Sequence, residues 1–285
     1  MTKSIIVTGA SVGFGPEIAA YLAERGLDVY AGVADPGQMP IVEEAAGRRN
    51  VAVRVVPLDP REQSSVDTAI GTVVAETGGI YGVVNNDNLF MRGYFEDLLD
   101  DEIRRIFETN LLGTMAVTRA ALPHMRAARR GRIVIITSVA GKIGAPTGSA
   151  YSASKFALEG FGESLMQEVA PLGVGVSIIE PGITLTRSWT IDQAAASRAR
   201  NPESPYHAWF NRAEQLFDRT MRSAPQTPET VAATVHRALT ASRPRLRYVV
   251  GPRARLIIAA RRYAPAEVFE RIYFGALTRR ITREP

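Results

Sequence analysis

Tyr151 and Lys155 stand four residues apart in "SAYSASKFALEGF", residues 149–161. On a helix, positions i and i+4 share a face, so this phenol and ammonium can reach one pocket together. Lysine is scarce in the chain: of 34 basic residues only Lys3, Lys142 and Lys155 are lysine. An accidental Tyr-x-x-x-Lys still arises in roughly one such chain in ten, so the pair acquires meaning only from company. Company stands near the start, where "TGASVGFG", Thr8 to Gly15, ends a β-branched run and opens a helical one. Gly9, Gly13 and Gly15 allow a tight turn and a close backbone approach to a pyrophosphate, which the free N–H groups of a helix N-terminus attract. The strand–turn–helix setting makes this stretch a dinucleotide cradle.

The elements that must position these residues alternate along the chain. "SIIVTG", "DVYAGV", "VAVRVVPLD", "IYGVVNN", "RIVIITS", "GVSIIEPG" and "LRYVVG" read as strands, with helices over about 15–25, 38–48, 62–77, 100–128, 151–170 and 228–241 between them. Near-continuous apolar strands separated by helices predict an α/β fold. Its core is a doubly wound, seven-stranded parallel sheet with helices on both faces. Neither an internal repeat nor a linker divides the chain, so residues 1–285 read as one domain. Two segments leave the alternation. Residues 183–227 form a long insertion carrying Trp189, Tyr206, Trp209, Phe210 and Phe217, and its part from 187 to 225 is expected to be a substrate lid. Residues 252–285 are expected to be a basic helical extension, with Val268, Phe269, Ile272, Tyr273, Ala276 and Leu277 as a packing stripe.

Composition sets outer bounds. With 46% hydrophobic and 22% charged residues the chain is an ordinary globular one. It has no cysteine, which excludes disulfides and thiol chemistry, and its histidines, His124, His207 and His236, show no ligand spacing, so no metal site is expected. The first residues run straight into a strand and no apolar run has membrane-span length, so a cytoplasmic protein with no leader and no transmembrane segment is expected. The charge of +5 is uneven: from Arg243 onward there are eleven arginines against Glu267, Glu270 and Glu284. A basic tail of this kind meets nucleic acid or anionic lipid. With no nucleic-acid motif beside it, the reading is a solvated arginine-rich helix face and no nucleic-acid partner.

Taken together, the motifs resemble the short-chain dehydrogenase/reductase family. "TGASVGFG" matches its TGxxxGxG; "ETNLLGT" carries Asn110, "IVIITSVAG" carries Ser138, "YSASK" carries Tyr151 and Lys155, and "EPGITLT" matches PGxxxT. The resemblance covers about residues 3–250 in family order and implies a Rossmann-type fold. It implies that Tyr151 is the general acid for carbonyl reduction, or the base for alcohol oxidation. A free phenol near pKa 10 holds its proton tightly, and a neighbouring ammonium is expected to lower that value. Lys155 would also hold the nicotinamide ribose, Ser138 the substrate oxygen, and Asn110 a relay water. Cofactor contacts are implied for Gly9, Ser11, Gly13, Phe14, Gly15, Ala34, Asp35, Asp59, Asn86, Tyr151, Lys155, Pro181, Gly182, Ile183, Thr184 and Thr186. Substrate contacts are implied for Ser138 and Tyr151, and the aromatic insertion adds Trp189 and Trp209.

Two stretches depart from the family. Where it has Asn-Asn-Ala-Gly this chain reads "NNDN", placing Asp87 and Asn88 beside the cofactor, where an acid facing the phosphates would repel them. After the second strand, "VYAGVADP" puts Val33 at the place of the acid that accepts from a free ribose 2′-hydroxyl, and Ala34 at the basic place. The absence of the acid favours NADP(H), with NAD(H) as the alternative through the late Asp35. "YSASKFALEGFGESL" and "RYVVGP" are most similar to the branch of 17β-hydroxysteroid and retinol dehydrogenases and their bacterial relatives. That likeness implies a bulky, hydrophobic ketone or secondary alcohol and a homodimer or homotetramer. Two other functions fit the scaffold: a non-redox lyase, epimerase or cyclase, and a dinucleotide-sensing regulator, which has no need of the full Asn–Ser–Tyr–Lys set.

Overall fold

Strands that are apolar at nearly every position must be covered on both faces, and they are. The structure, a computed structural model, describes residues 3–186, 195–224 and 226–283. Strands β1 (Ser4–Val7), β2 (Asp28–Val33), β3 (Arg54–Pro57), β4 (Gly82–Asn85), β5 (Gly131–Ile136), β6 (Val174–Pro181) and β7 (Arg247–Val250) form one parallel sheet in the order β3-β2-β1-β4-β5-β6-β7. The chain order reverses between β1 and β4, which opens a crevice at the carboxyl ends of the strands, where such folds bind ligands.

Side chains alternate across the sheet, as a period of two requires. Ile5 and Val7 of β1 meet Ile18 and Leu22 of α1 (Gly15–Glu24) and Val42 of α2 (Met39–Arg48) on one face. The same cluster takes Val231 and Val235 of α8 (Pro228–Thr240). Ile6, between them, faces the other side, with Val66 and Ile70 of α3 (Gln63–Thr77), Val117 and Met125 of α5 (Gly113–Ala127), and Leu158 and Leu165 of α6 (Ser149–Val169). Each fully buried Ile, Val or Leu contributes about 1.5–3 kcal/mol, so the sheet is a stiff platform for the site.

The helix expected over 100–128 is interrupted. α4 (Asp100–Phe107) passes through a π turn, Glu108–Leu112, before α5 begins. Such turns shift the register of backbone bonding and often mark functional positions; this one carries Asn110. In the insertion, α7 (His207–Arg222) closes over a third cluster of Leu98, Ile106, Ala196, Ala199 and Phe210. The C-terminal residues form α9 (Pro252–Tyr263), α10 (Ala266–Phe269), a π turn at Glu270–Phe274, and α11 (Gly275–Thr282). None of the described helices is long and apolar enough to cross a membrane.

Candidate active site

The site is assembled where β5 ends and α6 begins. Lys155 is 1% exposed, and its ammonium donates to the carbonyl of Ile136 on β5 at 3.1 Å. Ser138, two residues on, is extended and caps a short 3₁₀ turn, its Oγ accepting from Ala140 N at 3.1 Å. The Ser138 hydroxyl is near enough to the Tyr151 phenol to favour its charged form. α6 is braced against β5 one turn beyond Lys155. Thr137 Oγ1 donates to Glu159 at 2.7 Å, and Glu159 pairs with Lys142 at 2.6 Å and Arg247 at 3.1 Å.

Burial dominates the titration of both groups. It pushes the Tyr151 phenol up to about 12, opposed by the Ser138 hydroxyl. It also pulls Lys155 down to about 7, opposed by the negative charge of Asp87. Lys155 Nζ lies 5.6 Å from the centroid of the Tyr151 ring. The expected lowering of the phenol by the ammonium is therefore outweighed in the protein chain itself, because both groups lose more hydration than the one gains from the other.

Asn110 is fully buried in the π turn, and its amide is committed to the protein. Oδ1 accepts from Leu89 N at 2.6 Å, while Nδ2 donates to Leu89 O at 3.0 Å and Ser154 Oγ at 3.1 Å. The side chain thus ties the loop after β4 to α6, a positioning role that the family motif alone does not reveal.

The cradle lies across the crevice from this floor. Gly9 and Gly13 have φ of +55° and +57°, in the left-handed region that a side chain disfavours. A Cβ at Gly15 would collide with the carbonyl of Gly9. Asn86 Nδ2 donates to that same carbonyl at 2.9 Å and so fixes the loop from β4. Phe14 provides the residue before α1 and packs against the core. Ser11 Oγ donates to Gln38 at 2.7 Å, a contact that sequence reading missed because Gln38 belongs to no motif.

A cradle that any added Cβ would strain or fill, open to a buried ammonium, fits a nicotinamide dinucleotide. Asp87 is the exception. A Cβ on Gly9 would stand 3.0 Å from Asp87 Oδ1, so the carboxyl lies directly over the cradle, and its Oδ2 has no hydrogen-bond partner among the described residues. Burial pushes Asp87 up to about 6; Thr8 and Lys155 hold it down, and Asp59 adds to the rise.

At the far rim Ala34 and Asp35 are exposed. Asp35 accepts from Gly37 N at 2.9 Å and caps the 3₁₀ turn Pro36–Gln38, so the turn is regular and the carboxylate folds back on it. Asp59 is clasped by Arg61, at 2.6 Å to Nη2 and 2.9 Å to Nε, which holds its carboxyl below the usual range. Arg61 is the second rim residue that sequence reading missed. Pro181 ends β6 and is buried, as is Thr184 beyond it; Gly182 N donates to Val250 O at 3.0 Å, Thr184 Oγ1 donates to Gly182 O at 3.0 Å, and Ile183 is exposed. Thr186 ends this described stretch, and Trp189, with the first part of the expected lid, lies outside the described residues.

The aromatic rings nearest Tyr151 are not those singled out in the sequence. The ring packed on Tyr151 is Phe90, edge-on at 4.5 Å, and Phe217 of α7 stands 5.8 Å beyond it. Trp209 sits in an outer cluster with Tyr94 and Tyr206, each at 6.2 Å. Phe90 was missed because it lies just past the departing "NNDN", where the family pattern offers no guide.

Comparisons agree with this geometry. The short chain dehydrogenase family matches residues 3–195. Mouse retinol dehydrogenase 5 is 34% identical, over 96% of this chain and 89% of its own. A short-chain dehydrogenase from Streptomyces avermitilis superposes with a TM-score of 0.79 at 30% identity, covering 98% of each chain. A metagenomic short-chain oxidoreductase in complex with NADP superposes at 0.68, with 25% identity over 87% of this chain and 96% of its own. One from Burkholderia phymatum in complex with NAD superposes at 0.79, with 22% identity over 96% of this chain and 95% of its own, a likeness of fold alone.

Proposed function

The chain belongs to the short-chain dehydrogenase family, and from that premise we propose that it is an NAD(P)(H)-dependent oxidoreductase acting on a bulky, apolar ketone or secondary alcohol. The observation that carries the reading is the meeting of Ser138, Tyr151 and Lys155 at the mouth of the Gly9–Gly15 cradle. The dinucleotide, when bound there, supplies or accepts the hydride. The protein's part is proton handling and alignment. Tyr151 gives its proton to the carbonyl oxygen as negative charge develops there, or takes one from the alcohol in the reverse direction. Ser138 donates a hydrogen bond to the same oxygen. Lys155 spends one of its three N–H donors on Ile136, leaving two for ribose hydroxyls. Asn110 holds the Leu89 loop, and we place the relay water beside its π turn.

The apolar substrate meets Phe90 and Phe217, and support for its bulk comes from that aromatic wall and the named relative. The regular turn at Asp35 supports NADP(H) as the preferred cofactor, because the carboxylate is engaged with Gly37 and does not guard the 2′-position. We assign the enzyme to the cytoplasm and, by likeness to its family, to a homo-oligomer. The test is the nicotinamide absorbance band followed during a screen of bulky ketones with NADPH and NADH. Oxidation of the reduced cofactor that depends on the ketone is the expected result. Conversion of a substrate with the band unchanged would instead indicate a non-redox enzyme.

A further inference from the structure

The C-terminal extension turns to solvent a face that the dehydrogenase site does not use. On its inner side Ala254, Phe269 and Ile281 are buried, and Arg212 of α7 donates to the carbonyls of Ile281 and Arg283, at 3.1 and 3.0 Å. The extension is thus pinned to the body. Its outer side is apolar where it is most exposed. Leu256 is 74% exposed and Tyr263 78%, and the two fall seven positions apart on one stripe of α9 with exposed Ala260 between them. Ile272 continues this character at 62%. Exposed Arg253, Arg255 and Arg262 flank the stripe, and residues 252–283 hold eight arginines against Glu267 and Glu270. Of these two acids Glu270 is already paired with Arg261, at 2.8 Å.

A single exposed leucine is ordinary. A row of two large apolar side chains on one helix stripe, flanked by arginine, is not, and it departs from the solvated charged face expected from sequence. We propose that residues 252–283 seat the protein on an anionic lipid surface, with Leu256, Tyr263 and Ile272 entering the acyl boundary and the arginines meeting headgroups. The occupant follows from the chemistry of the face. Nucleic acid would satisfy the arginines but gains little from burying leucine and isoleucine against phosphate and sugar. A second copy would bury the apolar row but set arginine against arginine. An anionic leaflet answers both needs, and tyrosine favours the headgroup level. The contact is peripheral, consistent with the absence of a spanning helix among the described residues.

Flotation of the full chain with vesicles tests this, independently of any turnover. The chain is expected to float with phosphatidylcholine vesicles containing phosphatidylglycerol, to stay behind with phosphatidylcholine alone, and to be released by high salt. The pair Leu256→Glu and Tyr263→Glu should lower the bound fraction by about tenfold or more. The triple change Arg253→Gln, Arg255→Gln and Arg262→Gln should do the same with the apolar row intact. Both sets are exposed, so circular dichroism melts should match the parent. If the glutamate pair melts early, the glutamine set alone decides. Parent protein that ignores anionic vesicles, or variants that float as well as the parent, would overturn the proposal. So would a concentration-dependent dimer or a shifted DNA duplex with no flotation.

Discussion

Around Tyr151 the side chains of Lys155, Asn110 and Thr137 are held by partners from distant elements, whereas beyond β2 the carboxylates of Asp35 and Asp59 are held by their own neighbours. Lys155 of α6 reaches Ile136 of β5, Asn110 reaches Leu89 and Ser154, and Thr137 reaches Glu159. Asp35, by contrast, accepts from Gly37, and Asp59 clasps Arg61, each two residues along. The first arrangement fixes relative positions of strands and helices, so a lost group disturbs several elements. The second stabilises only a turn, so a lost group leaves the frame intact. The floor is therefore built for one chemistry, and the rim is free to exchange cofactor preference.

The sharpest break in that comparison comes from the floor. Tyr151→Phe keeps the ring against Phe90 and removes only the proton carrier, so turnover should fall by about 10²–10⁴-fold. Cofactor affinity, measured by fluorescence quenching, should stay nearly unchanged. Activity within about tenfold of the parent, equivalent to about 1.4 kcal/mol of barrier, would remove Tyr151 from the mechanism. Lys155→Ala should impair rate and cofactor affinity together.

Stability gives the next contrast. Glu159 serves Thr137, Lys142 and Arg247 at once, and Glu159→Ala leaves the two cations the longer pairings with Glu180 of β6, at 3.6 and 3.5 Å. The loss should be about 2 kcal/mol in urea melts, less than for a fully buried pair because both cations keep some hydration. Arg61→Ala at the rim should cost at most about 0.5 kcal/mol. Equal losses would erase the distinction between floor and rim.

Asp87 lies between the two regions, and pH isolates it. Its folded pKa, about 6, stands above the ordinary 3.8, so the folded protein holds the proton more tightly than the unfolded chain. That stabilisation is complete below the unfolded value and is lost as pH rises through 6. Lys155, lowered to about 7, has the opposite sense: its burial penalty is present below 7 and is relieved toward 10.5. At pH 8 the largely neutral lysine no longer offsets the carboxylate. Asp87→Asn should therefore stabilise the protein more at pH 8 than at pH 5, by about 1.5 kcal/mol. A gain that is flat with pH would mean that Asp87 escapes into solvent.

The same contrast explains what was legible in the sequence. The seven strands of the doubly wound sheet, the glycine turn and the shared helix face of Tyr151 and Lys155 could be read because each needs particular residue types at fixed spacing. Gly9 and Gly13 must take positive φ, and Tyr151 and Lys155 must share a helix face. Gln38, Arg61 and Phe90 could not be read, since a contact such as Ser11 to Gln38 depends on how a loop returns and leaves no periodic trace. The π turn at Asn110 was hidden for a related reason: "ETNLL" is as compatible with an α-helix as with the wider turn. Trp209 drew attention by residue type, while the ring that meets Tyr151 came from a loop without a motif.

The smallest expected effect lies at the rim and asks whether it is as exchangeable as its local bonding implies. Ala34 is exposed beside a regular turn, so an arginine there meets no packing obstacle and its guanidinium can form a charge-assisted, bidentate bond to a 2′-phosphate. Ala34→Arg should raise the ratio of kcat/KM for NADPH over NADH by about tenfold, with melting unchanged. Asp35→Ala removes a cap on the 3₁₀ turn, at about 0.5–1 kcal/mol, but should leave that ratio nearly where it was, because its carboxylate is already turned to Gly37. The parent is expected to prefer NADPH. A parent that prefers NADH, with the preference lost in Asp35→Ala, would show that this carboxylate leaves its turn to hold the ribose. The rim would then be committed to one cofactor as firmly as the floor is to its proton.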